Sequence, residues 1–151
     1  MNHIAALLTP DTILLDLAFT SKKALFEHAG DVFSRQHGVK PSDVITSLSE
    51  RERLGSTALG YGIAIPHGRI KGLQQAAGAL YRLQHALAFD APDGKPVTLC
   101  FILLVPNDAN EAHLQILGEL AQVFGDETMR SRLIMANNTA ELSTLFNAWT
   151  A

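Results

Sequence analysis

The sequence predicts an α/β protein in which a single mixed sheet, part parallel and part antiparallel, carries helices on both faces. Helical and extended patterns are interleaved along the chain, the middle is rich in short apolar extended runs, and the last third is helical. Two of the extended runs, Ala77 to Leu83 and Val97 to Val105, flank Phe89-Asp-Ala-Pro-Asp-Gly-Lys-Pro96. The turn chemistry of that segment predicts two antiparallel neighbours.

Each element follows from local pattern. Thr12 to Leu17, after Pro10-Asp11, is a short apolar segment and the first expected strand. Ser21 is placed to cap a helix from Lys22 to Gln36. Ala24, Leu25, Ala29, Val32 and Phe33 recur there at helical spacing, and Gly38 ends it. Pro41 suits the first turn of a second helix, continued by Val44, Ile45 and Leu48 as far as Leu54 and stopped by Gly55. Arg51 and Arg53 fall in its last turn, where a cation is favourable on dipole grounds alone by roughly 0.3–1 kcal/mol. Ser56 to Leu59 and Gly62 to Pro66 read as short extended segments joined by a turn at Gly60-Tyr61, and they deliver His67 to a strand end.

Beyond Pro106-Asn-Asp a helix is expected from about Asn110 to Phe124, with Leu114, Ile116, Leu117, Leu120, Ala121, Val123 and Phe124 as a broad apolar face and His113 in its first turn. Asp126 can cap the next helix, which carries Met129, Leu133 and Ile134. Asn138 and Glu141 have capping-box spacing for a last helix ending near Trp149. No internal repeat, linker or low-complexity segment interrupts the chain.

Composition narrows the function. At 151 residues one domain spanning 1–151 is expected, large enough to bury about 70% of its unfolded surface. An apolar fraction of 47% and a charged fraction of 18% belong to a globular chain. A net charge of −3, with no broad basic footprint, argues against nucleic acid as a partner. Cys100, alone in an apolar run, allows no disulfide framework and reads as core. The N-terminus lacks the charged region and apolar core of a signal peptide, and no apolar segment reaches membrane-spanning length, so a cytoplasmic protein without membrane insertion is expected.

The chemistry concentrates between Arg51 and Arg69. Four glycines, a proline, two hydroxyls and three arginines surround His67. Tight turning at Gly60, Gly62 and Gly68, with stiffening at Pro66, would hold the imidazole in one pose beside cationic and hydroxyl donors, as a site for an anionic group requires. A phosphate loop would continue with Gly-Lys-Ser/Thr, and a dinucleotide fingerprint with a third glycine; neither is present. The six histidines include no pair at metal-ligand spacing, and Gly55-Ser56 lacks the second glycine of a nucleophile elbow. A histidine nucleophile that carries a phosphoryl group as a phosphoramidate survives these exclusions. Such a group brings up to two negative charges, and an arginine about 4 Å away interacts with each by roughly 4 kcal/mol at an effective dielectric of 20, before desolvation.

Gly62-Ile-Ala-Ile-Pro-His-Gly68, preceded by Arg51-Glu-Arg-Leu-Gly-Ser-Thr57, resembles the active-site signature of the fructose/mannitol-type enzyme IIA domains of the bacterial phosphotransferase system. Glu111-Ala-His113-Leu-Gln-Ile-Leu117 matches that family's second-histidine segment, and the Pro-Val-x-Leu-x-Phe-x-Leu-Leu-Val-Pro run ending at Pro106 matches as well. The resemblance covers nearly the whole chain and implies that His67 is phosphorylated on Nε2 by a phosphohistidine carrier of the HPr type, with His113 as its partner. On the same pattern Arg51 neutralises the phosphoryl oxygens, and Arg53 falls where other members often carry lysine. Ser56 or Thr57 either adds a hydroxyl donor or serves structure. Transfer between two histidines exchanges similar bonds, so neither a cofactor, nor ATP, nor a metal is required. His113 would orient His67 or donate to the phosphoryl group, and nearby apolar side chains would dock the carrier.

No IIB or membrane IIC portion is expected in this chain. With Leu54-Gly-Ser-Thr57 and Gly62-Ile-Ala-Ile65, it resembles most the nitrogen-regulatory branch, whose members bind target proteins, such as transporter or sensor-kinase components, according to phosphorylation state. A sugar-specific IIA passing phosphate to IIB would be marked by an acceptor encoded nearby. A binding module with a dead site would fail to take up label.

Overall fold

The computed structural model describes residues 3–108 and 111–149, the side chain of Ala112 excepted. Its centre is strand β6 (Val97–Pro106), the apolar run of the sequence. Side chains alternate across a strand, and here both alternate sets are apolar. Cys100, Ile102 and Leu104 enter one core cluster, while Leu99, Phe101 and Leu103 enter another. A strand apolar on both sides belongs inside a sheet covered twice.

On the first face lie α1 (Lys22–His37) and α2 (Pro41–Leu54). They contribute Leu25, Phe26, Ala29, Phe33, Val44 and Leu48 to the cluster around Cys100. The second face is covered by α3 (Glu111–Gly125), α4 (Glu127–Met135) and α5 (Thr139–Ala148), through Leu120, Val123, Phe124, Leu133, Leu142 and Phe146. Among the described residues no helix is long and apolar enough to cross a membrane.

The remaining strands are β1 (Ile13–Leu17), β2 (Ala58–Gly60), β3 (Ile63–Ala64), β4 (His67–Ile70) and β5 (Ala77–Leu87). They order as β1-β5-β6-β3-β2, with β4 also on β6. The β5–β6 and β2–β3 pairs are antiparallel; β1–β5, β3–β6 and β4–β6 are parallel. The mixed sheet with helices on both faces is therefore as expected, including the antiparallel pair around the Phe89–Pro96 turn.

The caps follow the sequence closely. Ser21 accepts from Ala24 N, Gly38 closes α1 at φ 70°, and Asp126 accepts from Met129 N. The Asn138–Glu141 pair is half a capping box. Asn138 accepts from Glu141 N, but the Glu141 carboxylate reaches back to the N–H and side-chain amide of Asn137 instead of to Asn138. Asn110, the expected start of α3, lies outside the described residues.

One polar cluster on the first face gives the stability a pH dependence. His28 Nδ1 is 2.7 Å from the hydroxyl of buried Tyr81, and Phe19 stands edge-on to both rings. Burial, and then the Arg35 charge, hold the His28 pKa below its ordinary 6.5 against the opposing pull of Asp31. A lowered folded-state pKa means that the unfolded chain binds more protons, so stability rises with pH in this window. The urea midpoint should fall as pH drops through 6.5, levelling once the folded value is passed. In His28→Asn that part of the fall should be missing.

Candidate functional site

β3 and β4 lie end to end against the same side of β6. Ile63 and Ala64 pair with Leu99 and Cys100, and His67 to Ile70 pair with Leu103 to Pro106. Between them Ile65-Pro66 interrupts the strand. Pro66 has no N–H to give to a ladder, but its carbonyl accepts from Leu103 N at 2.9 Å, which keeps the chain in register. Upstream, the turn at Gly60-Tyr61-Gly62 runs through positive φ at all three residues, 96°, 59° and 78°. Glycine takes this region freely; Tyr61 is held in it by its N–H, which donates to the Asp93 carboxylate at 2.9 Å.

His67 opens β4. The sequence indicated a strand end there, and the structure adds a new strand beginning at the histidine itself. Gly68 departs from expectation in a different way. It has no positive φ and makes no turn. A Cβ at this position would stand 2.1 Å from Ser47 Oγ and 3.0 Å from Ser47 Cβ, so the glycine permits α2 to lie directly against β4. Ser47 Oγ then donates to Arg69 O at 3.0 Å across the same contact.

This close approach assembles a cleft of about 1000 Å³ at the exposed edge of β4. From α2 come Arg51, Arg53 and Leu54; from β4 come His67 and Arg69; from α3 come His113, Leu114 and Leu117. His67, Arg51, Arg53 and His113 are thus brought together from three elements, across 62 positions between Arg51 and His113.

Ser56 and Thr57 are not in the cleft. Ser56 Oγ donates to Phe89 O, and Thr57 is buried with its hydroxyl on Glu52 at 2.6 Å. Glu52 also accepts from Thr57 N and from Lys22 Nζ, each at 3.1 Å. The two hydroxyls therefore anchor the segment after α2 to the body of the protein, the structural one of the two roles open to them. Helical geometry explains the division: neighbouring residues point in different directions, so Arg51 and Arg53 reach the cleft while Glu52 turns inward.

The protonation pattern of His67 is set by one contact. Its Nδ1 lies 2.9 Å from Ile65 O. A carbonyl oxygen only accepts, so Nδ1 carries the proton and donates, and in the neutral ring Nε2 holds the free electron pair. The ring is half-buried and oriented, with its neutral tautomer set by a backbone atom two residues away.

Electrostatics suit an anion. Four cations, Arg51, Arg53, Arg69 and Lys71, line the cleft with two carboxylates, Asp43 and Glu50, although the whole chain is net negative. Arg51 Nη1 donates to Gly55 O at 2.9 Å, closing the end of α2 and holding the guanidinium at its mouth. Arg53 is exposed. Leu54 and Leu114 are 86% and 57% exposed, an apolar rim beside the cationic interior. Arg69, one of the three arginines around His67 in the sequence, carries no specific role there; the period-2 rule applied to His67-Gly-Arg69 places it on the same strand face as His67.

Comparison with known proteins identifies the family and the fold. Residues 6–149 match the family described as phosphoenolpyruvate-dependent sugar phosphotransferase system, EIIA 2. The nitrogen regulatory protein of Pseudomonas aeruginosa is 38% identical over 134 residues, covering 88% of this chain and 87% of that protein. The crystal structure of nitrogen regulatory protein IIA-Ntr from Neisseria meningitidis superposes with a TM-score of 0.91 at 44% identity, covering 95% of this chain and 99% of that one. Enzyme IIA mannitol of Escherichia coli, at 23% identity, shares the fold with a TM-score of 0.77 over 91% of this chain and 97% of its own. With a cationic cleft around an oriented imidazole and a family match over almost its whole length, the chain belongs to the EIIA type-2 family of the phosphoenolpyruvate-dependent phosphotransferase system.

Proposed function

We propose that this phosphotransfer protein carries its phosphoryl group on His67 Nε2, receives it from a phosphohistidine carrier of the HPr type, and acts in the nitrogen-regulatory branch by binding target proteins according to phosphorylation state. The observation that carries the reading is the Nδ1–Ile65 O contact, which in the neutral ring puts the free electron pair on Nε2 of a residue that lines a cationic cleft. The branch is supported by relatives that bear the name nitrogen regulatory protein. Residues 1–151 are read as one such domain, working in the cytoplasm.

The transfer balances without a cofactor. The electron pair of His67 Nε2 forms a bond to phosphorus as the bond from phosphorus to the carrier's imidazole breaks. The carrier's ring, protonated on its other nitrogen, leaves neutral. His67 becomes a phosphorylated imidazolium whose Nδ1–H stays on Ile65 O. Since the bond broken and the bond formed are alike, the protein's task is in-line placement and charge stabilisation. Arg51, anchored by Gly55 O, has further N–H groups for the phosphoryl oxygens, and Arg53 adds charge from the exposed side. The apolar rim of Leu54 and Leu114 docks the carrier.

Incubation with phosphoenolpyruvate, enzyme I and an HPr-like carrier should label the protein. No label on the wild type would overturn the reading and favour a binding module. His113, on the α3 wall of the cleft, is assigned to positioning the transferring group. His113→Ala should therefore still accept label while passing it back to unphosphorylated carrier at least about tenfold more slowly, in the range that a lost charge-assisted hydrogen bond implies. Complete loss of acceptance would contradict that role.

A further inference from the structure

We propose that Arg69 is a further phosphoryl-binding arginine of this cleft, in addition to Arg51 and Arg53, an inference that rests on phosphorylation of His67. His67 and Arg69 are two residues apart on β4, paired in register with Leu103 and Val105, so both side chains leave the same face of the strand. Two strand residues so spaced have Cα atoms about 6.6 Å apart, a distance that an arginine side chain spans. Both residues line the cleft.

The position of Arg69 is set from two directions. Its carbonyl accepts from Ser47 Oγ of α2 at 3.0 Å, and its Nη1 donates to Asn107 O, directly after β6, at 3.1 Å. The second bond resembles the one that anchors Arg51, whose Nη1 donates to Gly55 O at 2.9 Å. In each case one of five guanidinium N–H groups is committed to a main-chain carbonyl, which orients the planar fork and leaves the other donors for a ligand. No carboxylate of the described residues lies within ion-pair range of Arg69. Its charge is thus unopposed at contact distance, in the same cleft as the imidazole that gains a group of up to two negative charges. Arg51 is held by one main-chain carbonyl, and Arg69 is held in the same way by another.

A tether between β4 and the β6–α3 turn would also account for the Asn107 bond, and the two roles separate by experiment. Arg69→Gln keeps a side-chain N–H for Asn107 O but removes the charge. The phosphorylated protein would be titrated by phosphorus-31 NMR and its labelling rate measured with increasing carrier. A guanidinium at the phosphoryl oxygens favours the dianion, so the phosphoryl pKa should rise in Arg69→Gln. The maximal labelling rate should fall by about tenfold, as expected for loss of one charge-assisted hydrogen bond. Arg69→Lys, which keeps charge without the fork, should shift the titration less and give an intermediate rate. A titration curve unchanged in Arg69→Gln overturns the inference, whatever the rate does, because a tether has no reason to sense phosphoryl ionisation. If Arg69→Gln does not fold, an unshifted titration with wild-type rate in Arg69→Lys overturns it instead. Wild-type protein that takes no label is a separate failure and sinks the assignment of His67 itself.

Discussion

His67→Ala is expected to abolish phosphoryl acceptance while leaving the protein folded. The variant removes the only nucleophile proposed for the step, so the loss should be complete rather than graded, and raising carrier concentration should not restore it. Its structural cost is small by comparison. The ring is half-buried, and the substitution forfeits one hydrogen bond to Ile65 O, worth about 1 kcal/mol. The strand it opens remains paired to β6 through Gly68, Arg69 and Ile70. Thermal unfolding of wild type and variant, set beside labelling with phosphoenolpyruvate, enzyme I and carrier, checks both halves. Label persisting in His67→Ala would place the phosphoryl group on another residue.

Gly68→Ala is the second large effect, and it reaches the chemistry through packing. The new methyl would sit 2.1 Å from Ser47 Oγ, 3.0 Å from Ser47 Cβ and 3.3 Å from the Ser47 carbonyl carbon. Rotating the hydroxyl away breaks its bond to Arg69 O and still leaves the other two contacts tight, so α2 must move off β4. Overpacking of this kind costs about 1–3 kcal/mol. Because α2 carries Arg51 and Arg53 to the cleft, a shift approaching 1 Å could slow transfer by about 100-fold. Adding Ser47→Ala should return part of the stability, since the worst contact then disappears, and the double-mutant cycle measures that coupling. Full stability and wild-type labelling in Gly68→Ala alone would show that the helix–strand approach has slack to give.

The fold was legible wherever a local pattern had a single outcome. Ser21, Gly38 and Asp126 act on backbone groups within four positions, so sequence suffices to place them. The Val97 to Val105 run reads as a buried strand because it is short, apolar almost throughout and preceded by turn residues. Glu141 shows the limit, with its carboxylate choosing Asn137 over Asn138 by side-chain reach that spacing does not encode. The segment after His67 shows another. A four-residue strand with glycine and arginine inside has no alternation to read, and it exists because β6 offers a free ladder opposite it.

The site divides along the same line. Sequence by itself singled out His67 and its flanking cations, because their residue types and spacing argue against nucleotide, metal and serine chemistry, and the resemblance to the family added His113. Tertiary structure decided which of the surrounding polar groups line the cleft with His67. It turned Ser56 and Thr57 inward to Phe89 O and Glu52, brought Arg69 in beside His67, and chose Nε2 by placing a carbonyl against Nδ1. The physical reason is that a side chain's chemistry belongs to the residue, whereas its direction and its hydrogen-bond partner depend on elements packed from elsewhere in the chain. Gly68 joins the two: a residue that suggested a turn in isolation is, in the folded protein, the missing methyl that lets α2 reach β4.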